Sequence, residues 1–144
     1  MVRFLGGTPR AWTGNFQRGT GALDHVVCHP DGRRVLVMAG GSGYVVDPAD
    51  PSVVDFLGGQ WESCIATTDG RGLVLSDTVD VQLIDHTGLA WRSRRLAWDG
   101  VRILQVTHDT VHGEAAHFDG SWHPFSISIT DGKAHGGAYD GPEY

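Results

Sequence analysis

The sequence predicts an all-β fold built from blade-like units, and three observations carry that expectation. Asp-Gly dipeptides occur six times, at 31–32, 69–70, 99–100, 119–120, 131–132 and 140–141. The segments between them are short, apolar and strand-sized, and none shows a sustained helical stripe. One pattern of residues also returns with a period of about 40 positions.

The Asp-Gly pairs are hairpin chemistry. A two-residue type I′ turn holds both central residues at positive φ, which Asp tolerates and Gly accepts freely. Such pairs between apolar runs therefore predict type I′ hairpins. The 21 glycines agree with frequent reversals, because usage is about twice the ordinary ~7%.

The strands follow in order. Val35-Leu36-Val37-Met38 is continuously apolar, as expected of a strand covered on both faces. Asp50 to Gly58 has two readings. With Asp50 as N-cap, Pro51 at the first helical position and a closing Gly58 it makes a short helix, and it fits a strand after a turn equally well. Further on, Val79, Val81 and Leu83 alternate with Asp80, Gln82 and Ile84, less cleanly than Phe125, Ile127 and Ile129 alternate with Ser126, Ser128 and Thr130. Period two marks a half-buried strand.

The repeat organises these strands. Its first copy runs from His25 to Asp47 with a turn at Gly40-Gly41-Ser42-Gly43, and its second from Cys64 to Asp85 with a turn at His86-Thr87-Gly88. The third, looser copy runs from Ile103 to Ile129 with a turn at Asp131-Gly132. Each holds the strand content of one propeller blade of about 40–45 residues. One domain over 1–144 is expected, with three antiparallel four-stranded repeats at about 22–59, 60–100 and 101–141. Three are fewer than the roughly four blades of a closed propeller. The expected architecture is an open propeller fragment, a barrel or sandwich of the same strands, or a homodimer that closes the ring. Val2–Gly7 echoes Val54–Gly59, so the N-terminal strand is expected to complete the C-terminal blade and hide an edge.

His29-Pro30-Asp31-Gly32-Arg33-Arg34-Val35-Leu36, followed by Tyr44-Val45-Val46-Asp47-Pro48, resembles a blade of the YVTN and WD-type β-propeller repeat proteins, whose blades often carry a Pro-Asp-Gly-Lys/Arg turn. The resemblance covers one blade. Trp91–Gly100 together with Trp122–Lys133 is similar to a family of uncharacterised bacterial proteins, a resemblance that implies no activity.

Composition bounds the partners. A formal net charge of −6 disfavours a phosphate-tracking surface, and so disfavours nucleic acid. Met1–Gly7 has no apolar run of signal-peptide length, and no stretch approaches the roughly 20 apolar residues of a membrane span, so a cytoplasmic protein without a membrane partner is expected. Cys28 and Cys64 are too few for a disulfide framework and are expected to be reduced and buried.

Eight histidines raise the question of a metal. On a strand His25 and His29 share a face while Cys28 points away, and no second pair has zinc-ribbon spacing. His108 and His112 are four apart, but Asp109-Thr110 between them reads as a hairpin turn. No metal and no cofactor is expected. A hydrolase lacks its local marks, since there is no Gly-x-Ser-x-Gly elbow and Ala39–Gly43 lies between strands rather than opening a helix. Cys64 beside Ile65 and Ala66 reads as an inert thiol, and Asp47, Asp50, Asp77 and Asp80 as turn formers.

The leading expectation is a non-enzymatic binding or interaction module for a protein or small-molecule partner. A carbohydrate or small-ligand binder comes second and an enzyme third. Trp12, Trp61, Trp91, Trp98 and Trp122 lie near predicted turns or strand ends, where most pack and the rest offer stacking surface. Trp91-Arg92-Ser93-Arg94-Arg95 combines aromatic and basic character within one expected strand, or is an edge guarded by charge. Thr8–Gly21, with Arg10, Trp12, Asn15, Phe16 and Arg18, is a flexible linker or a binding loop. The residues expected at a binding surface are Arg10, Trp12, Trp91, Arg92, Trp122 and His123.

Overall fold

A computed structural model describes residues 1–5 and 11–143. Strands and turns account for its regular structure, and no helix of the described residues is long and apolar enough to cross a membrane. The chain divides into two compact units, Met1–Glu62 and Ser63–Tyr144.

The first unit holds a two-stranded ribbon and one four-stranded meander. β1 (Val2–Phe4) pairs antiparallel with β2 (Trp12–Gly14), setting Phe4 opposite Trp12. β3 (His25–Cys28), β4 (Val35–Ala39), β5 (Ser42–Asp47) and β6 (Asp50–Gly58) follow in spatial order. The ribbon and the meander share a core of Phe4, Val37 and Val46, flanked by Trp12, Phe16 and Tyr44. The N-terminal strand thus pairs with its sequence neighbour and does not complete a distant blade. Closing a short loop costs less entropy than closing most of the chain.

Asp50–Gly58 is a strand. Its Val54 and Phe56 stand opposite Val46 and Tyr44 of β5. Nine residues make a marginal helix, whereas β-branched Val53 and Val54 suit a ladder that β5 already offers. Asp50 still caps locally, accepting hydrogen bonds from the amide and hydroxyl of Ser52.

The second unit holds two meanders, β7 (Ser63–Ala66), β8 (Leu73–Ser76), β9 (Val81–Asp85) and β10 (Gly88–Arg92), then β11 (Val101–Val106), β12 (Thr110–Ala116), β13 (Trp122–Ser128) and β14 (Ala134–Gly136). Val74, Val81, Leu83 and Trp91 of the first pack with Val111, Phe125 and Ile127 of the second in one core. All three expected repeats are therefore four-stranded antiparallel sheets in chain order, the third closed by its own β14.

The hairpins differ from expectation in turn type. The Gly32, Gly70 and Gly120 amides bond the carbonyls of His29, Thr67 and His117, three residues back. Only the glycines have positive φ, at 72°, 72° and 85°; Asp31, Asp69 and Asp119 do not. These are type I turns followed by a left-handed glycine. The aspartate sits at the third turn position because its carboxylate accepts the amide two residues on, from Arg33, Arg71 and Ser121 respectively. The type I′ signature, positive φ at both loop residues, belongs to Gly40 and Gly41. Asp99-Gly100 and Asp140-Gly141 lie outside the hairpins.

Cys28 is exposed on edge strand β3, contrary to the buried thiol expected, because β3 has a sheet neighbour on one side only. Cys64 is half-buried, and burial pushes its thiol up to about 12.

Candidate functional site

The site grows from a turn that delays a strand. Alternation suggests that β9 starts at Val79, but the Asp77 carboxylate takes the amides of Val79 and Asp80 and bends the chain there. The ladder begins at Val81. Past β10 the backbone stays alongside this bend, with the Ser93 amide on the Val81 carbonyl at 2.8 Å and the Leu96 amide on the Val79 carbonyl at 2.8 Å. The Leu96 carbonyl in turn accepts the amides of Ala138 and Tyr139 at 2.8 and 2.9 Å, tying the C-terminal segment down.

Between residues 92–95 and this segment lies a cleft of about 560 Å³, lined by Asp80, Arg92, Arg94, Arg95, Tyr139 and Glu143 among others. Asp80 is 3% exposed. Arg92 grips one of its oxygens, with Nε at 2.7 Å and Nη2 at 2.6 Å from Oδ2. Among the described residues the other, Oδ1, is buried and accepts no hydrogen bond of normal geometry, though the Gln82 side chain lies close enough to favour its charged form. Burial raises the Asp80 pKa, the Arg92 hydrogen bond works the other way, and the charge of Asp77 adds to the rise.

Arg94 and Arg95 make no ion pair with a carboxylate among the described residues. Arg94 donates to the carbonyls of Arg95 and Gly136. Arg95 donates from Nε to the Ala97 carbonyl at 2.9 Å and from Nη2 to the Trp98 carbonyl at 3.0 Å. Its guanidinium lies 4.4 Å from the centre of the Tyr139 ring and 5.7 Å from that of Trp98. Carbonyls and aromatic faces orient these cations without neutralising them. A cleft so lined attracts an anion, and guanidinium forks match carboxylate and phosphate oxygens in pairs.

The residues expected from sequence fall in different places. Arg10 lies outside the described residues. Trp12 packs in the first unit, stacked on Phe4 at 4.2 Å, and its indole donates to the Pro48 carbonyl at 2.6 Å. Trp91 is buried, its indole donating to the Ile129 carbonyl at 2.7 Å. Arg92 lines the cleft. Trp122 and His123 open β13 on the surface of the last meander and are not part of the cleft wall. The Arg102 guanidinium covers Trp122, 3.5 Å from the ring centre. Arg94 and Arg95 belong to the aromatic and basic segment of the sequence; Asp80, expected to form a turn, is instead the buried partner of Arg92 while Asp77 makes the turn, and Tyr139 carries no signal of its own.

A second polar cluster surrounds His117. Its Nδ1 lies 3.2 Å from Asp119 Oδ1 and its Nε2 3.5 Å from Asp140 Oδ2. Nearby, Ser121 Oγ lies 2.5 Å from Asp119 Oδ1 and 2.8 Å from His123 Nε2. Here Asp119 holds Ser121 itself and not His123, the histidine beside that serine, which is not the arrangement that turns a serine into a nucleophile. Among the described residues no group of three or more His, Cys, Asp or Glu side chains is placed to hold a metal ion.

No protein-family model matches the chain, and the comparison with curated proteins found no match.

Proposed function

We propose that this chain is a non-enzymatic binding module whose second unit takes the anionic part of a ligand, a carboxylate or a phosphate, into the arginine cleft. One observation carries the reading. Three arginines line one cleft of an acidic chain, and two of them, Arg94 and Arg95, make no ion pair with a carboxylate among the described residues, although Asp80 and Glu143 share the lining. Like charges held close together repel, and an anion between them converts that repulsion into attraction. Carbonyl hydrogen bonds and the Tyr139 ring already order these side chains, so little freedom is lost on binding. As scaffold, the blade-like sheets and the Pro30-Asp31-Gly32-Arg33 turn support kinship with the YVTN and WD-type repeats.

The test is a titration of the intact chain, followed by amide and arginine side-chain NMR signals at low salt. Three probes distinguish the sources: sulfate as a phosphate analogue, citrate, and a hexaglutamate peptide. At least one should bind with Kd near or below about 1 mM and shift the signals of Arg92–Arg95 and Tyr139. The double variant Arg94→Gln, Arg95→Gln should bind at least about tenfold more weakly. No shift by any probe at about 10 mM, or undiminished binding by a folded double variant, would overturn the proposal.

A further inference from the structure

We infer that the ligand of the arginine cleft is a zwitterion, whose carboxylate goes to Arg94 and Arg95 and whose ammonium group goes to Glu143; the inference rests on the anion-binding reading above and adds the second charge. The cleft is charged on both walls. Arg94 and Arg95 stand on the wall that follows β10, and Glu143 stands on the wall made by the C-terminal segment. Asp80 and Arg92 cancel each other across their 2.6 Å contact, so two cations and one anion of the lining are left to act on a ligand. Glu143 is exposed and, among the described residues, makes no ion pair.

The opposite charges do not close the cleft on themselves, because each wall is held by bonds of its own. On one side, backbone carbonyls take the guanidiniums: Arg94 donates to those of Arg95 and Gly136, and Arg95 to those of Ala97 and Trp98. The Tyr139 ring, 4.4 Å from the Arg95 guanidinium, adds to that hold. On the other side, three bonds fix the segment that leads to Glu143. The Tyr139 amide bonds the Leu96 carbonyl at 2.9 Å, and Asp140 Oδ1 accepts the Trp98 indole N–H at 3.0 Å. The Tyr139 hydroxyl then donates to the carbonyl of Pro142, the residue before Glu143, at 3.0 Å.

Charges kept apart in this way select a ligand that carries both signs. A simple anion is drawn to the arginines and repelled by Glu143, and a simple cation meets the reverse. A molecule with a carboxylate at one end and an ammonium group at the other is attracted at both, and each end opposes the charge of its wall. The volume of about 560 Å³ lies within the ~300–1,000 Å³ of small-molecule sites. Amino acids and short peptides with both ends free are zwitterions of that size.

Glycine peptides of about two to four residues are the probes, each compared with its N-acetylated form at about pH 6.5, where a free α-amino group carries its proton. The series varies only the spacing between the end charges. In NMR titrations of the intact wild-type chain at low salt, at least one free peptide should bind roughly two- to fivefold more tightly than its acetylated form. It should shift the Glu143 signals together with those of Arg94 and Arg95. Glu143→Gln should bind the two forms alike and hold sulfate at least as tightly as the wild type does. The bulk of the acetyl group is the same for both chains, so loss of the preference reports charge. A preference that survives in Glu143→Gln, or acetylated forms that bind as well as the free ones at every length, would overturn the inference. Sulfate binding without any such preference would remove the zwitterion alone and leave the anion-binding reading in place; a chain that binds neither sulfate nor peptide would remove both.

Discussion

Arg92 closes over Asp80, its Nη2 standing 2.6 Å from Oδ2 while the carboxylate beneath is 4% exposed. The two groups are unequal partners, since the arginine side chain is 56% exposed and can be solvated alone. Removing the guanidinium strands a charge that water cannot reach. Breaking a buried pair costs about 3–5 kcal/mol, and the exposure of Arg92 reduces this, so Arg92→Met should cost about 2 kcal/mol. Adding Asp80→Asn keeps the shape, removes the charge and should recover most of that loss. Urea unfolding of the two variants at neutral pH checks this, and equal losses would contradict it.

Trp91 and Trp122 were equivalent in the sequence and are opposite in the fold. Trp91 is 9% exposed and its indole satisfies the Ile129 carbonyl. Trp91→Phe should therefore cost about 2 kcal/mol, through the stranded carbonyl and the smaller ring. Trp122 is 36% exposed and its main partner is the Arg102 guanidinium on its face. Trp122→Ala should cost no more than about 1 kcal/mol. Thermal unfolding of the two variants side by side decides the ranking.

Those two residues show what was legible. Period two and the repeat length reveal strands and sheets, because burial on a pleated surface alternates with the sequence. Which tryptophan goes inside is set by the opposing sheet, in this case Phe125 and Ile127, and no local pattern carries that. The turns repeat the lesson. Asp-Gly marks hairpins at 31, 69 and 119, but counting dipeptides does not show that the aspartate caps the amide two residues on, which selects type I. The cleft was half visible: Arg92, Arg94 and Arg95 are neighbours in sequence, whereas Asp80 and Tyr139 join them through the backbone bonds of Val79, Val81 and Leu96.

Glycine sites separate crowding from backbone strain. A Cβ on Gly113 would lie 2.2 Å from the Arg102 carbonyl oxygen and 2.4 Å from Phe125 Cζ, both fixed in neighbouring strands. Gly113→Ala should cost about 3 kcal/mol, because the sheet must open to admit the methyl group. Gly120 has φ +85° and open space around it. Gly120→Ala should cost only about 1 kcal/mol of left-handed strain. Denaturant midpoints of the two variants test the order, and a milder Gly113→Ala would show that β12 yields more readily than its contacts imply.

Acid acts on the turns. The Ser121 hydroxyl and amide hold the Asp119 carboxyl at about 2, below the usual 3.8. The Arg71 amide and the Thr67 hydroxyl lower Asp69 in the same way. A carboxyl lowered by folding binds fewer protons in the native state, so its stabilisation is full above the unfolded pKa and is lost as pH falls through the folded one. Asp80 runs the other way: raised chiefly by burial, it contributes fully below the unfolded value and loses that contribution as pH rises through its folded value. The lowered aspartates outnumber it, with Asp24, Asp31, Asp50, Asp85, Asp109, Asp131 and Asp140 in the same direction. The urea midpoint should therefore fall as pH drops from about 4 to 2. Asp119→Ala should flatten that fall, and Asp80→Asn should leave its acid limb unchanged. A midpoint that rises on acidification would mean that the turn carboxylates are held no better in the folded chain than in the unfolded one.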